Sequence, residues 1–162
     1  MKQTPEQILT KLKSFVGYET VVTDEYLIED GMIKRFAGAI GDENPLYYDA
    51  DFARRNGFPD IIAPPTFVFE WHHHEALWAD ENGVYIDDYP LPNRFVRAGS
   101  EYEFTRPLYP GDIITTRSKI MEVYEKTRAS GEKMIFIISE STYANQDEEV
   151  LGIQRGTAIV FV

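Results

Sequence analysis

The chain has 162 residues and should form one domain, because a chain of this length buries roughly 70% of its unfolded surface and needs no disulfide or metal to fold. It contains no cysteine, which excludes disulfides, thiolate nucleophiles and thiolate metal sites. Its 27 acidic and 16 basic residues give a net charge of −11, which disfavours binding to nucleic acids and to anionic membranes. The N-terminus lacks the apolar core of a signal peptide and no apolar run approaches the roughly 20 residues that span a bilayer, so we predict a cytoplasmic protein.

Residues 1–17 are predicted to form a helical arm. Thr4 followed by Pro5 is a typical helix start, because threonine caps the first turn and proline fits the first helical position. Apolar residues then recur on one helical face, at Ile8, Leu9, Leu12, Phe15 and Val16. Gly17 is a plausible helix end. We expect this arm to pack against an edge of the domain.

The next segment predicts a strand, a short helix and a polar turn. Residues 18–26 are rich in Thr, Val and Tyr, which favours a strand. Apolar residues from Met32 to Ile40 form one face of a short helix, which leads into the turn GDENPLYYD at 41–49. A proline restricts the residue before it to extended geometry, so Asn44-Pro45 fixes the direction in which the turn projects its side chains.

A second, longer helix follows a proline pair. Pro64-Pro65 is unsuited to a helix interior but suits a first turn. Residues 66–78 are almost all bulky and include Phe67, Val68, Phe69, Trp71, Ala76, Leu77 and Trp78, so the helix should be buried on several sides, as it would be inside a curved sheet. Residues 79–92 are polar and rich in turn residues, which predicts a long loop near a substrate or a partner.

Four strand candidates follow, at 94–104, 112–124, 133–145 and 150–162, and turn sequences separate them. A strand and helices followed by a run of antiparallel strands is typical of the α+β class. The sequence therefore predicts one long helix packed against one antiparallel sheet, in a single domain over 1–162.

The turn resembles a known family motif. Gly41-Asp42-Glu43-Asn44-Pro45-Leu46 is similar to the hydratase motif (S/G)-G-D-x-N-P-(L/I/V)-H of the MaoC-like proteins, which include (R)-specific enoyl-CoA hydratases and 3-hydroxyacyl-thioester dehydratases. The wider pattern DxNPLYxD…IIAPPTF looks like an N-terminal-type MaoC domain, akin to the dehydratase domain of fungal fatty acid synthase. The resemblance covers about 16–162. It implies a hot-dog fold, in which the antiparallel sheet wraps around the helix at 66–78.

The resemblance also implies the chemistry of the site. In the family, an Asp and a His hold a water that adds to an α,β-unsaturated thioester, while a backbone N–H at the start of the central helix stabilises the thioester oxygen. Asp42 keeps the position of the aspartate, but Tyr47 stands where the catalytic histidine is expected. A tyrosine titrates near pH ~10, so it is a poor base at neutral pH. An ungapped count from Asp42 places Pro65 at the oxygen-binding position, and proline has no N–H.

These two departures imply a degenerate subunit. N-terminal-type domains of the family often lack the working histidine and pair with a second hot-dog domain that has it. We expect this chain to shape the site for a bulky acyl group beside a catalytic MaoC-like subunit, in a homodimer, a heterodimer or a heterotetramer. The resemblance implies no cofactor, with a coenzyme A or acyl-carrier thioester as the substrate.

Two alternatives remain open. On the same count, His73 lies close to the aspartate on the central helix, where it would rebuild an Asp–His pair and make a self-sufficient hydratase. Hot-dog thioesterases use a helix carboxylate, which Glu70 or Glu75 would supply. Adjacent helical residues point about 100° apart, so the run from His72 to His74 is not a metal chelate and we predict no metal.

Residues near the turn and the helix start are expected to bind the substrate. They are Asn44, Pro45, Pro65, Thr66 and Phe67. In an acidic chain, the phosphates of coenzyme A would require local basic side chains, for which the candidates are Arg94, Arg97, Arg106 and Lys119.

Overall fold

An antiparallel sheet of five strands, in the order β1-β3-β4-β5-β2, forms the body of the chain in a computed structural model that describes residues 4–23, 27–71 and 95–162. The strands are β1 Glu19–Thr23, β2 Phe95–Phe104, β3 Thr115–Thr127, β4 Lys133–Ala144 and β5 Val150–Phe161. The four C-terminal strands confirm the predicted ones to within a few residues. The predicted α+β class and antiparallel sheet are therefore correct.

In the described chain, four α-helices and one short 3-10 helix lie before β2. The first α-helix precedes β1, and the others lie between β1 and β2. The helices are α1 Pro5–Lys13, α2 Asp30–Ile40, the 3-10 helix Pro45–Tyr47, α3 Ala50–Arg55 and α4 Phe67–Trp71. Helix α4 is the beginning of the predicted central helix. The predicted loop at 79–92 and the remainder of the helix at 72–78 lie outside the described residues.

Helix α1 begins as its sequence predicts. The Thr4 side chain accepts from the Gln7 backbone N–H, and the Gln7 side chain accepts from the Thr4 backbone N–H, which is a reciprocal cap. Contrary to the expectation of an edge contact, the buried Ile8 and Leu12 pack on side chains from three adjacent strands. These strand residues are Ile120, Val123, Ile135, Ile137 and Val160. The helix thus covers one end of the inner face of the sheet.

The start of β3 differs from the prediction by three residues. Asp112 was expected in the strand, but its carboxylate accepts from the Tyr109 backbone N–H and from the Asn145 side chain, and it is 5% exposed. These contacts hold Asp112 in the turn that precedes the strand. Pairing begins at Thr115 opposite Ala144 and continues to Thr127 opposite Lys133.

The main core lies between the helices and the other end of the inner face. Side chains of α2, of the turn after it, of the segment 61–69 and of the strands meet there. Phe69 is at its centre and contacts the rings of Tyr102, Phe104 and Tyr143 at centroid distances of 4.8, 5.3 and 5.1 Å. This aromatic cluster fixes α4 on β2, β4 and β5. Among the described residues, no helix combines the length and hydrophobicity that crossing a membrane requires.

Candidate functional site

The polar turn is held by hydrogen bonds between its own residues. Helix α2 ends at Gly41, whose left-handed φ of 70° suits glycine, and the Asp42 N–H donates to the Ala37 carbonyl at 3.0 Å. Asp42 Oδ1 then accepts from the Asn44 N–H at 3.0 Å, and Asn44 Oδ1 accepts from the Leu46 N–H at 3.1 Å. Asn44 has φ −58° and ψ 120°, outside helical geometry as its following proline predicts. These hydrogen bonds therefore fix the conformation of the turn.

Tyr47 lies close enough to Asp42 for the charge of the carboxylate to act on its phenol. Its side chain is 6% exposed and belongs to the main core. Burial raises the pKa of the Tyr47 phenol, the negative charge of Asp42 raises this pKa further, and a hydrogen bond with the Asn44 side chain opposes both effects. The phenol therefore remains protonated at neutral pH. A protonated phenol donates a hydrogen bond to a neighbour but does not take a proton from water.

Tyr48 is a contributor to the turn that the sequence did not indicate. Its hydroxyl donates to the Asp42 carbonyl at 2.9 Å, while its ring remains partly exposed. The contact ties the end of the 3-10 helix to the residue that carries the carboxylate. The sequence could have indicated this role only if the bend at Asn44-Pro45 were known to bring Tyr48 back to Asp42, six residues before it.

The start of α4 lies at the proline pair, as predicted. Pro64 is buried and its carbonyl accepts from the Phe67 N–H at 2.9 Å, whereas Pro65 and Thr66 are exposed. Pro65 has no N–H, so it offers no hydrogen-bond donor at the start of α4. Phe67 is buried and packs its ring against Phe36 at a centroid distance of 5.1 Å. Its side chain thus faces the core.

An apolar cavity of about 220 Å³ adjoins this helix start. Its described walls come from the segment 62–68, from the end of β2 and the residues after it up to 108, and from β5. They are Ile62, Ala63, Pro64, Pro65, Val68, Phe104, Thr105, Arg106, Pro107, Leu108 and Leu151. Asp42 and Tyr47 are not among these described walls. The cavity accordingly offers room for an apolar group beside Pro65, apart from the carboxylate.

The candidate phosphate-binding cations have different surroundings. Arg106 lies 3.7 Å from Asp112 and 3.3 Å from Glu149, and its guanidinium stacks over the Tyr109 ring. These carboxylates neutralise it, which opposes a role in binding phosphate. Arg97 on β2 donates to the Ser100 hydroxyl at 2.9 Å and to the Tyr102 hydroxyl at 3.0 Å, so its exposed guanidinium is held in a fixed orientation.

The remaining candidates are placed as follows. Pro45 begins the 3-10 helix, and Lys119 is an exposed residue of β3, paired in register with Glu19 and Glu140. The side chains of Glu70, His73, Glu75 and Arg94 lie outside the described part of the structure. Of the predicted site residues that the structure describes, Asp42, Asn44 and Tyr47 lie together in the polar turn.

Proteins of known sequence align with most of this chain. A "UPF0336 protein" of Streptomyces avermitilis is 37% identical over 114 residues, covering 68% of this chain and 72% of the relative. A "Probable enoyl-CoA hydratase alpha subunit" of Thermomonospora curvata is 31% identical over 141 residues, covering 80% of this chain but only 44% of the relative. The chain thus matches less than half of that longer protein.

Solved structures share the fold. The ChsH1-ChsH2 complex of Mycobacterium tuberculosis superposes with a TM-score of 0.73 at 24% identity, covering 96% of this chain and 90% of the matched chain. The HadBC complex of the same organism, a (3R)-hydroxyacyl-ACP dehydratase, gives a TM-score of 0.68 at 19% identity, covering 98% and 99%. The sequence profile described as "FAS1-like, dehydratase domain region" matches residues 14–154. The chain belongs to this family, and its domain is a MaoC-like hot-dog dehydratase domain.

Proposed function

We propose that this chain is a degenerate subunit of an (R)-specific enoyl-thioester hydratase or 3-hydroxyacyl-thioester dehydratase, which accommodates the substrate beside a catalytic MaoC-like subunit. The observation that carries the proposal is the pairing of Asp42 with the buried phenol of Tyr47 in place of an imidazole. Hydration needs a group that accepts a proton from water, and Tyr47 already holds its proton at neutral pH. The Asp42 carboxylate alone lacks the partner that orients and activates the water.

The missing helix-start donor supports the same conclusion. Removing one oxyanion donor costs roughly 10²–10³ in rate, and removing acid–base help costs roughly 10²–10⁴. The two losses need not multiply, because residues that act together are not additive. Either loss alone makes an efficient unaided reaction at this site implausible, so the working groups should come from a second polypeptide.

The edge formed by β2 is the surface that we propose for this partner. The ten-residue strand β2 pairs only with β5 within the described sheet and ends the strand order, whereas the opposite edge strand, β1, has five residues. Residues 96–101 of β2 are exposed. A long exposed edge presents unpaired backbone groups that favour the addition of another strand. The named complexes ChsH1-ChsH2 and HadBC, each of two different subunits, are consistent with a heteromeric assembly.

The cavity beside Pro65 indicates where we expect a bulky acyl group to lie. Its walls are predominantly apolar, and it begins where β2, the proposed partner edge, ends at Phe104. Phe104 is itself half exposed, which leaves an apolar surface continuous with the cavity. An acyl chain that extends from the partner's site would contact this surface first. Arg97, held by Ser100 and Tyr102 on the same edge, is the described cation best placed for the thioester's carrier.

The experiment is a reconstitution. The purified chain is assayed with a short and a bulky enoyl-CoA, alone and with a MaoC-like subunit that carries the intact D-x-N-P-x-H motif, while hydration and thiol release are both monitored. We expect hydration only in the mixture, and a larger gain for the bulky substrate. If the chain alone hydrates the substrate and His73→Ala abolishes this activity, the rebuilt Asp–His pair is indicated instead. If thiol is released and the release depends on Glu70 or Glu75, a thioesterase is indicated.

A further inference from the structure

The outer face of the sheet carries an apolar patch that lies away from both buried clusters. Its members, which we call the outer patch, are Tyr124 of β3, Met134, Phe136 and Ile138 of β4, and Ile159 and Phe161 of β5. Register places Tyr124 opposite Phe136 and Phe136 opposite Ile159, so these three form one row across the sheet. All six side chains are partly exposed, and none belongs to either core cluster of the described chain. Val96 extends the row onto β2 and is 46% exposed.

Two aromatic side chains of the patch stack on one another. The rings of Tyr124 and Phe136 stack at a centroid distance of 5.0 Å with an interplanar angle of 4°. The Lys126 ammonium lies over both rings, at 5.3 Å from Tyr124 and 5.1 Å from Phe136. The two parallel rings and the ammonium over them form one ordered unit on the outer face of the sheet.

Charges flank the patch in a pattern that is complementary to itself. Glu122, Tyr124 and Lys126 alternate on the outer face of β3, so an acidic and a basic side chain lie roughly 7 Å to either side of Tyr124 along the strand. Within the described part of the chain, neither Glu122 nor Lys126 forms an ion pair. A two-fold axis that crosses the strands at Tyr124 exchanges the two positions. It therefore places the Lys126 of one copy opposite the Glu122 of the other.

We propose that the outer patch is the contact between two copies of this chain, packed back to back about a two-fold axis along the row Tyr124–Phe136–Ile159. Two sheets pack face to face at about 10 Å with their strands within roughly 30° of each other. Such a contact is isologous, so each Lys126–Glu122 attraction occurs twice. The apolar row is buried at the centre, and the Glu122 of each copy approaches the Lys126 ammonium that lies over the rings of the other. The outer patch and the β2 edge are separate surfaces, so two copies joined in this way each retain an edge for a different subunit.

Sedimentation of the purified chain tests the contact. Phe136→Glu places a charge at the buried centre, and we expect the mass of the associated species to fall by half. Lys126→Glu and Glu122→Lys each place like charges opposite one another across the axis, and each should weaken association by about tenfold. The double variant restores opposite charges and should recover the original association. Ile40→Glu on α2, where the side chain is 52% exposed, is the matched control and should leave the mass unchanged.

Cross-linking provides a second test, which reports directly on the proximity of two copies. The chain contains no cysteine, so Tyr124→Cys introduces a single thiol next to the proposed axis. The sheet separation of about 10 Å exceeds the reach of a disulfide but suits a bis-maleimide of similar length. We expect covalent dimers from Tyr124→Cys and none from Ile40→Cys. The proposal is overturned if Tyr124→Cys gives only monomers, or if the double charge variant associates no better than the single variants. Neither result would affect the proposal that a different subunit binds at the β2 edge.

Discussion

The ring of Phe69 lies so close to Gly152 that a Cβ atom added to the glycine would be 2.7 Å from Phe69 Cζ and 2.9 Å from the Glu103 carbonyl oxygen. Gly152 is on β5, between the Phe104 end of β2 and Tyr143 on β4. Because Gly152 has no side chain, the Phe69 ring packs directly on the backbone of β5 and anchors α4. The helix start and its proline pair are thereby fixed relative to the β2 edge.

Gly152→Ala should therefore destabilise the fold. One of the two close neighbours is backbone and cannot move aside, so we expect a loss of about 2 kcal/mol, typical of overpacking. Urea denaturation measures it. Gly99→Ala on β2 is the matched control, because no atom lies within 4 Å of its added Cβ, and it should change the free energy of unfolding by no more than about 0.5 kcal/mol. Equal effects of the two variants would contradict the packing of Phe69.

Asp112→Ala should destabilise the turn before β3. The change removes the acceptor of the Tyr109 N–H and the Asn145 amide and leaves the largely buried Arg106 with one carboxylate fewer. Breaking a buried charged network in this way costs about 3 kcal/mol. The midpoint of urea unfolding measures the loss. Asp147→Ala, in the neighbouring exposed turn, should have an effect within about 0.5 kcal/mol, and a similar loss there would show that the Asp112 contacts are not specific.

The raised pKa of Tyr47 predicts a dependence of stability on alkaline pH. The folded pKa lies above the unfolded value of about 10, so the contribution of the protonated phenol is fully present below about pH 10 and is lost as pH rises through the folded pKa. Tyr47→Phe cannot lose a proton. Between about pH 8 and about pH 10.5, its free energy of unfolding should fall less than that of the unchanged chain.

Tyr48→Phe is the control for this titration, because Tyr48 lies on the same turn with its ring partly exposed. It should retain the alkaline loss of stability shown by the unchanged chain. An identical pH dependence in Tyr47→Phe and the unchanged chain would show that the phenol does not titrate as a buried group.

Restoring both missing groups should separate their contributions. Tyr47→His supplies an imidazole beside Asp42, and Pro65→Gly supplies an N–H at the helix start. We expect the double variant to hydrate a short enoyl-CoA at least about 10²-fold faster than Tyr47→His alone, because the oxyanion donor is then present as well. Circular dichroism verifies that each variant folds. If Pro65→Gly adds nothing to Tyr47→His, the helix start does not bind the thioester oxygen.

Much of this architecture could be predicted from the residues. Alternating and β-branched segments gave strands near their observed positions, the Asn44-Pro45 step fixed a non-helical bend, and the proline pair marked the start of α4. Each of these features depends on local geometry, which single residues determine. The motif positions Asp42 and Tyr47 also came together as expected, because only four residues separate them.

Features that depend on distant contacts could not be predicted. The apolar face of α1 was evident, but periodicity does not specify which surface covers it, and Leu12 lies on the inner face of three strands rather than at an edge. The later start of β3 depends on Asn145, which holds Asp112 from 33 residues away. The Tyr48 hydroxyl bond to the Asp42 carbonyl depends on how tightly the turn closes.

The rate of enoyl-CoA hydration by the isolated chain at neutral pH, compared with its Asp42→Asn variant, tests the central claim most directly. A site in which a protonated phenol faces the carboxylate should give no turnover above the buffer rate, and Asp42→Asn should change nothing. Rapid hydration by the chain alone, abolished by Asp42→Asn, would contradict the account.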